Sequence, residues 1–411
     1  MPVPLRLGLL RAFAFCLLGL TVFGAAVPAQ EPADDADLRK QLVLAQSLLN
    51  KASDRAAVLY FIAGTHALLH EPREAIATLK ECILAKEGFD PSGDAIFAGL
   101  KTSLDFQHLT EQVHREFPEV SHARLAFTIV EKDLVPEGLA YDPTQDAFYL
   151  GSLHRKKIVR IPREAPNQIS DFVPAERDHL LPVLGIRMDP SDATVWSASW
   201  LDNGPSELLH FDRHGSLLGR YSLGDERKHG FNDLVVLRSG VVYVTDTADN
   251  QVFRFDPNSK SFEALEFPRE LLMPNGIALT DDEKLLYIAD QFGIFRYDIR
   301  SGSCIELKPG ASSTVSGADG LYWHKGSLVI VQNGIGSPRI AAFQLASDGL
   351  RVTKTTVLEN RSPFSTLPTT GAIRGDDFYF IVNSQVDNLN GDHVLDVTRL
   401  APVRIATVPL P

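Results

Sequence analysis

Along the first third of the chain the apolar residues recur at three- and four-residue steps. Leu38, Leu42, Ala45, Leu48 and Leu49 fall on one face of a helix. A second apolar run, 56–69, breaks at His70-Glu71-Pro72 and resumes over 73–83, a helix–turn–helix pattern. The small residues Ala63, Gly64 and Ala75 would let the paired helices approach closely. A helix-breaking stretch, 88–104, separates this pair from another predicted helix over Phe106 to Phe117. Near Ser121 the period changes from that of a helix to that of a strand, and from Leu125 onward short apolar runs alternate with polar turns.

Six of those runs open on one recurring pattern: Pro-Glu-Gly-Leu from Pro136, Val-Leu-Gly-Ile from Val183, Phe-Asn-Asp-Leu from Phe231, Pro-Asn-Gly-Ile from Pro274, Ala-Asp-Gly-Leu from Ala318 and Thr-Thr-Gly-Ala from Thr369. They are spaced 43–51 residues apart, the length of a four-stranded propeller blade. Each is followed by a turn and a second strand, as in Val242-Tyr243-Val244 and Leu286-Tyr287-Ile288. The predicted class is therefore mainly β, a six-bladed β-propeller behind a small N-terminal α-helical domain. The runs 125–130 and 402–408 bracket the propeller, and one end is expected to donate a strand to the blade begun by the other, since an open edge would invite pairing. The expected divisions are 1–29 signal peptide, 30–37 flexible leader, 38–120 helical domain and 121–411 propeller. The helix–turn–helix resembles a tetratricopeptide unit. One such unit is short for a binding solenoid, so it reads as a cap packed on the propeller, with a groove for a protein partner as the alternative.

The second position of each motif reads Glu137, Leu184, Asn232, Asn275, Asp319 and Thr370. Radial repetition would turn these toward one central axis. Two carboxylates and two side-chain amides there suit a hard divalent cation, calcium ahead of magnesium, manganese or zinc. Without a cation the two carboxylates would repel and one would tend to protonate. The plainer reading is that Asn and Asp precede Gly because turns accept them. Asp246 and Asp290, at the ends of second strands, are expected to satisfy backbone groups.

Composition narrows the picture. A net charge of −12 without a dense basic run argues against nucleic acid as a partner. Arg6 and Arg11, the apolar run 12–23 and Val27-Pro28-Ala29 read as a cleavable export signal, which predicts a secreted or periplasmic protein with no membrane attachment after cleavage. The bulky Phe15 before Cys16 argues against lipidation, and Cys82 and Cys304 are expected to be free thiols. No Gly-Xaa-Ser-Xaa-Gly elbow and no Walker-type loop occurs.

The motifs Val135-Pro136-Glu137-Gly138, Gly230-Phe231-Asn232-Asp233, Pro274-Asn275-Gly276-Ile277 and Ala318-Asp319-Gly320-Leu321 resemble those of the senescence marker protein/gluconolactonase family, within the superfamily of paraoxonases and strictosidine synthase. The resemblance covers roughly 125–411. It implies a cation held by Glu137, Asn275 and Asp319, with Asn232 a further ligand or a substrate contact. It also implies hydrolysis of lactones or related esters, with Asp319 as the base. The family's substrate-contacting Arg, two residues before the Asn matching Asn232, is Gly230 here, which departs from sugar-lactone binding. No paraoxonase-like His dyad is evident, since the second repeat presents Leu184. His154 and His229 are candidate substitutes, and Trp200, Asn203, Asn333 and Arg339 candidate mouth residues. The competing reading is a non-enzymatic propeller with a structural cation, acting as a binding module. A condensing enzyme like strictosidine synthase is a third, with no amine or aldehyde pocket to identify it.

Overall fold

The computed structural model describes residues 35–411 apart from Asn203. The expected signal peptide and the start of the leader lie outside the described residues, as does the candidate mouth residue Asn203. Among the described residues four α-helices come first: α1 (Asp35–Leu48), α2 (Arg55–Leu68), α3 (Pro72–Leu84) and α4 (Leu104–Glu116). The breaker stretch between α3 and α4 contains a 3-10 turn, Ala95–Leu100, capped by the Asp94 side chain on the Ile96 amide. Ala63 and Ala75 are fully buried, as expected of small contact residues. Gly64 instead faces Ile96, at 3.4 Å from where its Cβ would stand.

The remainder forms a six-bladed propeller of antiparallel sheets. Blade 1 holds Pro136–Asp142, Ala147–Ser152, Ile158–Pro162 and Ser170–Val173. Blade 2 runs from Val183–Met188 through Val195–Trp200 to Leu217–Tyr221, and blade 3 from Phe231–Val236 through Val242–Asp246 to Ser261–Ala264. Blade 4 begins at Ile277–Leu279 and Leu285–Asp290, blade 5 at Ala318–His324 and Ser327–Gln332. In blade 6 the strands Gly371–Arg374, Asp377–Ile381 and Val403–Pro409 are completed by Arg124–Ile129 from the other end of the propeller. Thr128 pairs with Arg404 and Tyr379 with Thr407, so the expected strand donation closes the ring. The short strand Val120–Ser121 adds to the outer edge of blade 5. Apolar clusters fill the spaces between neighbouring sheets.

The helices sit on the propeller rather than beside it. Leu272, Met273, Phe292 and Ile335, from loops of blades 4 and 5, share one core with the helices. Phe61 meets Phe292 edge-on at 5.5 Å. Asp54 caps α2 through the Ala57 amide and reaches across to the Thr314 hydroxyl (2.5 Å) and the Val315 amide (3.1 Å). The Asp90 amide donates to the Ile335 carbonyl and Ser337 donates to the Asp90 carboxylate. Leu272 and Met273, and Thr314 and Val315, lead into the inner strands of blades 4 and 5, while Phe292 and Ile335 follow the second strands, so the cap lies on the face from which the motif residues enter the channel. Arg339 is not at the mouth. It is fully buried, bonded to Gln332 Oε1 at 2.7 Å, beneath the turn at Glu87. Cys82 and Cys304 are free thiols.

Candidate metal centre in the channel

The motif glycines lie in inner strands or, for Gly276, directly before one, where its carbonyl accepts from the Ala289 amide of the second strand. A Cβ on Gly276 would stand 2.7 Å from the Asp319 carbonyl oxygen, and one on Gly185 2.5 Å from that of Asn232. Gly138 likewise faces the Leu184 backbone. The repeat therefore demands glycine because neighbouring inner strands approach closely around the axis. The turn explanation for Asn and Asp before Gly does not hold at these positions.

Four of the residues at the second motif position converge. Glu137, Asn232, Asn275 and Asp319 are 8%, 7%, 5% and 4% exposed. Asn275 Nδ2 donates to Asp319 Oδ1 at 3.1 Å. Asn232 Nδ2 donates to Thr247 Oγ1 at 3.0 Å, and that hydroxyl donates to the carbonyl of Pro274, next to Asn275. Glu137 is close enough to Asp319 and Asp233 for their charges to act on it, and its buried Oε2 has no partner among the described residues. Thr370 hydrogen-bonds the Glu137 carbonyl through its hydroxyl, joining blade 6 to blade 1. Burial, then the charges of Asp319 and Asp233, push the Glu137 carboxyl well above its usual range. Burial also pushes Asp319 up to about 7, against the lowering effect of hydrogen bonds from Asn333 and Asn275.

One group at this centre went unassigned in the sequence, and another was assigned only to the mouth. Asp233 stands where other repeats have glycine, and it pairs with Arg187 at 2.8 Å. Arg187 also lies 5.3 Å over the Tyr322 ring. This pair stands beside a 300 Å³ cavity lined by Arg187, Tyr322 and Trp323. Asn333 was noted only as a mouth residue. Its Nδ2 donates to Asp319 Oδ2 at 2.5 Å and to the Pro368 carbonyl at 3.2 Å, which fixes the carboxylate. Register explains both Thr247 and Asn333. Asp246 pairs with Phe231 and Gln332 with Ala318, so each follows the last paired residue of a second strand.

The candidate histidines lie elsewhere. His229 has both ring nitrogens engaged, Nδ1 with Asp246 at 2.6 Å and Nε2 with Asp225 at 2.7 Å. It groups with Asp246 and Asp249 as a compact His/Asp cluster with metal-ligand atom types. Asp246 there also accepts the Gly230 and Asp249 amides, and Asp290 accepts three amides in blade 4, as expected of strand-end aspartates. His154 Nδ1 contacts the Asp392 carbonyl at 2.8 Å, in the hairpin inserted in blade 6.

The donor set fits a hard divalent cation. It is all oxygen, it carries charge, and one buried carboxylate oxygen lacks a partner among the described residues. No donor reaches Asn232 Oδ1 or Asn275 Oδ1 among the described residues.

No protein-family model matches the sequence, and no curated protein matches it. Among solved structures the chain is similar to a gluconolactonase from Xanthomonas campestris (17% identity, TM-score 0.50, covering 71% of this chain and 91% of that one). It is also similar to virginiamycin B lyase from Staphylococcus aureus (19%, 0.46, 62% and 80%) and to a PQQ-bound aldose sugar dehydrogenase from Streptomyces coelicolor (16%, 0.48, 69% and 95%). Identities this low speak to architecture and not to chemistry. Beyond its helical cap, the chain thus has the six-bladed propeller fold of gluconolactonase-like proteins.

Proposed function

We propose that this chain is an exported hydrolase of lactones or related esters, dependent on a divalent cation, calcium in the first instance. The observation that carries the reading is the convergence of Glu137, Asn232, Asn275 and Asp319 from four blades, with Glu137 Oε2 buried and without a partner among the described residues. A bound cation would polarise a substrate carbonyl and stabilise the oxyanion formed on it. Glu137 would supply charge to hold the ion, and the two asparagines their carbonyl oxygens. Asp319, fixed by Asn275 and Asn333, is the carboxylate assigned to take the proton from attacking water. Arg187 offsets the charge of Asp233, which leaves two net negative charges for a divalent ion. His229 and His154 remain weaker candidates, His229 because its nitrogens are already engaged.

The test is a panel of lactones and aryl esters assayed with the purified protein, with and without chelator. Turnover abolished by chelation and restored by calcium supports the reading. The second reading, a structural cation in a binding module, is favoured by the cap docked on the loops that lead to Asn275 and Asp319. It predicts no turnover but a melting temperature lowered by chelator.

A further inference from the structure

The ring of motif positions is polar on one side only. From blade 3 round to blade 1 it reads Asn232, Asn275, Asp319, Thr370 and Glu137, whereas blade 2 contributes Leu184. Leu184 is buried, yet it belongs to none of the apolar clusters that fill the propeller between blades. Its neighbours Val183 and Ile186 do. Trp200 stands at the corresponding rim position of the same blade. Ser199 pairs with Val183, so Trp200 takes the register place that Thr247 and Asn333 hold in blades 3 and 5. Those two residues bond the channel amide and carboxylate beside them; blade 2 has a half-buried indole in that place.

The indole lies against Gly230, two residues before Asn232. A Cβ there would stand 3.2 Å from Trp200 Cδ2 and 2.9 Å from Ala248 Cβ. Ala248 and Trp200 together crowd position 230, so a side chain there would require one of them to shift. The only polar atom of the ring, Nε1, is buried without an acceptor among the described residues, so it presents no donor at the exposed part of the ring. Hydroxyl groups placed against Leu184 and this ring would lose hydrogen bonds to water without replacement, while an alkyl or aryl group would gain from burial.

We propose that Leu184 and Trp200 form an apolar seat for the non-reacting part of the substrate, so that the site takes lactones or esters carrying an alkyl or aryl substituent and discriminates against polyhydroxylated ones. The inference rests on the hydrolase reading for its choice of ligand, but its test does not depend on turnover. Two inert probes with the same ring, a pentyl-substituted δ-lactam and a polyhydroxylated δ-lactam, would be titrated calorimetrically into the calcium-loaded protein. The alkyl lactam is expected to bind at least about tenfold more tightly, the scale of discrimination by apolar contacts. Trp200→Ala and Leu184→Asn should each weaken it about fivefold or more, with melting temperature held. Equal or tighter binding of the hydroxylated probe, alkyl-lactam affinity unchanged in both variants, or failure of both probes to bind would overturn the proposal. Trp200-dependent lactam binding without any ester or lactone turnover would sink the hydrolase reading and leave the seat standing. Turnover indifferent to both substitutions would do the reverse.

Discussion

Asp319 and Asn333 illustrate what a single residue does at this centre. Asp319→Asn keeps the shape and removes both the base and one charged ligand, so turnover should fall by at least about a hundredfold even at saturating calcium. A variant that retains full activity would remove Asp319 from the mechanism. Asn333 donates to the charged form of Asp319, which holds that carboxyl below where burial alone would put it. Asn333→Ala should therefore raise the Asp319 pKa and move the acid limb of the pH–rate profile to higher pH, which a profile of kcat/KM would read directly. Glu137→Gln should weaken calcium affinity about tenfold or more by calorimetry, since it removes one of two charged ligands. Glu137, Asn232, Asn275 and Asp319 were visible as candidates because the repeat marks one position per blade. Asp233 was harder to find, because it replaces a glycine in the motif and its partner Arg187 comes from another blade. Asn333 carried no signal beyond following a second strand.

At the scale of elements, the cap is held by buried charge as well as apolar packing. Glu87 lies between α3 and blade 5, facing Asp54 and the buried Arg339 guanidinium. Burial first, then the charge and hydrogen bond of Asp54, push its carboxyl up to about 8, opposed by Arg339. The folded protein thus keeps a proton that the unfolded chain releases near pH 4.5. Stability from this group is present below that pH and declines as pH rises toward 8. Glu87→Gln should flatten the fall of melting temperature between pH 5 and 8, approximately the interval between those two values; an unchanged slope would show that Glu87 is not its source. The helical period of 38–120 and the small residues of the hairpin were legible in the sequence. The docking surface was not, because Leu272, Met273, Phe292 and Ile335 sit in loops where isolated apolar residues look unremarkable.

For the whole molecule, the cation and the fold are linked through the channel. Without a cation, Glu137 and Asp319 hold protons that unfolded carboxylates lose near pH 4, so the metal-free protein should lose stability as pH rises toward about 7. Chelation should lower the melting temperature more at pH 8 than at pH 5, and calcium should restore it; equal losses at both pH values would place the ion elsewhere. Six blades were readable because a repeat of this length allows few architectures, and the closing strand because an unpaired edge is costly. That seal has a consequence for how the site comes into being. Arg124–Ile129 is made early but has no complete partner until Val403–Pro409 exists. Deleting the final nine residues would remove no ligand, yet it would unfasten the ring and leave the oxygens from different blades without a shared centre. Cation affinity should then report on the far end of the chain.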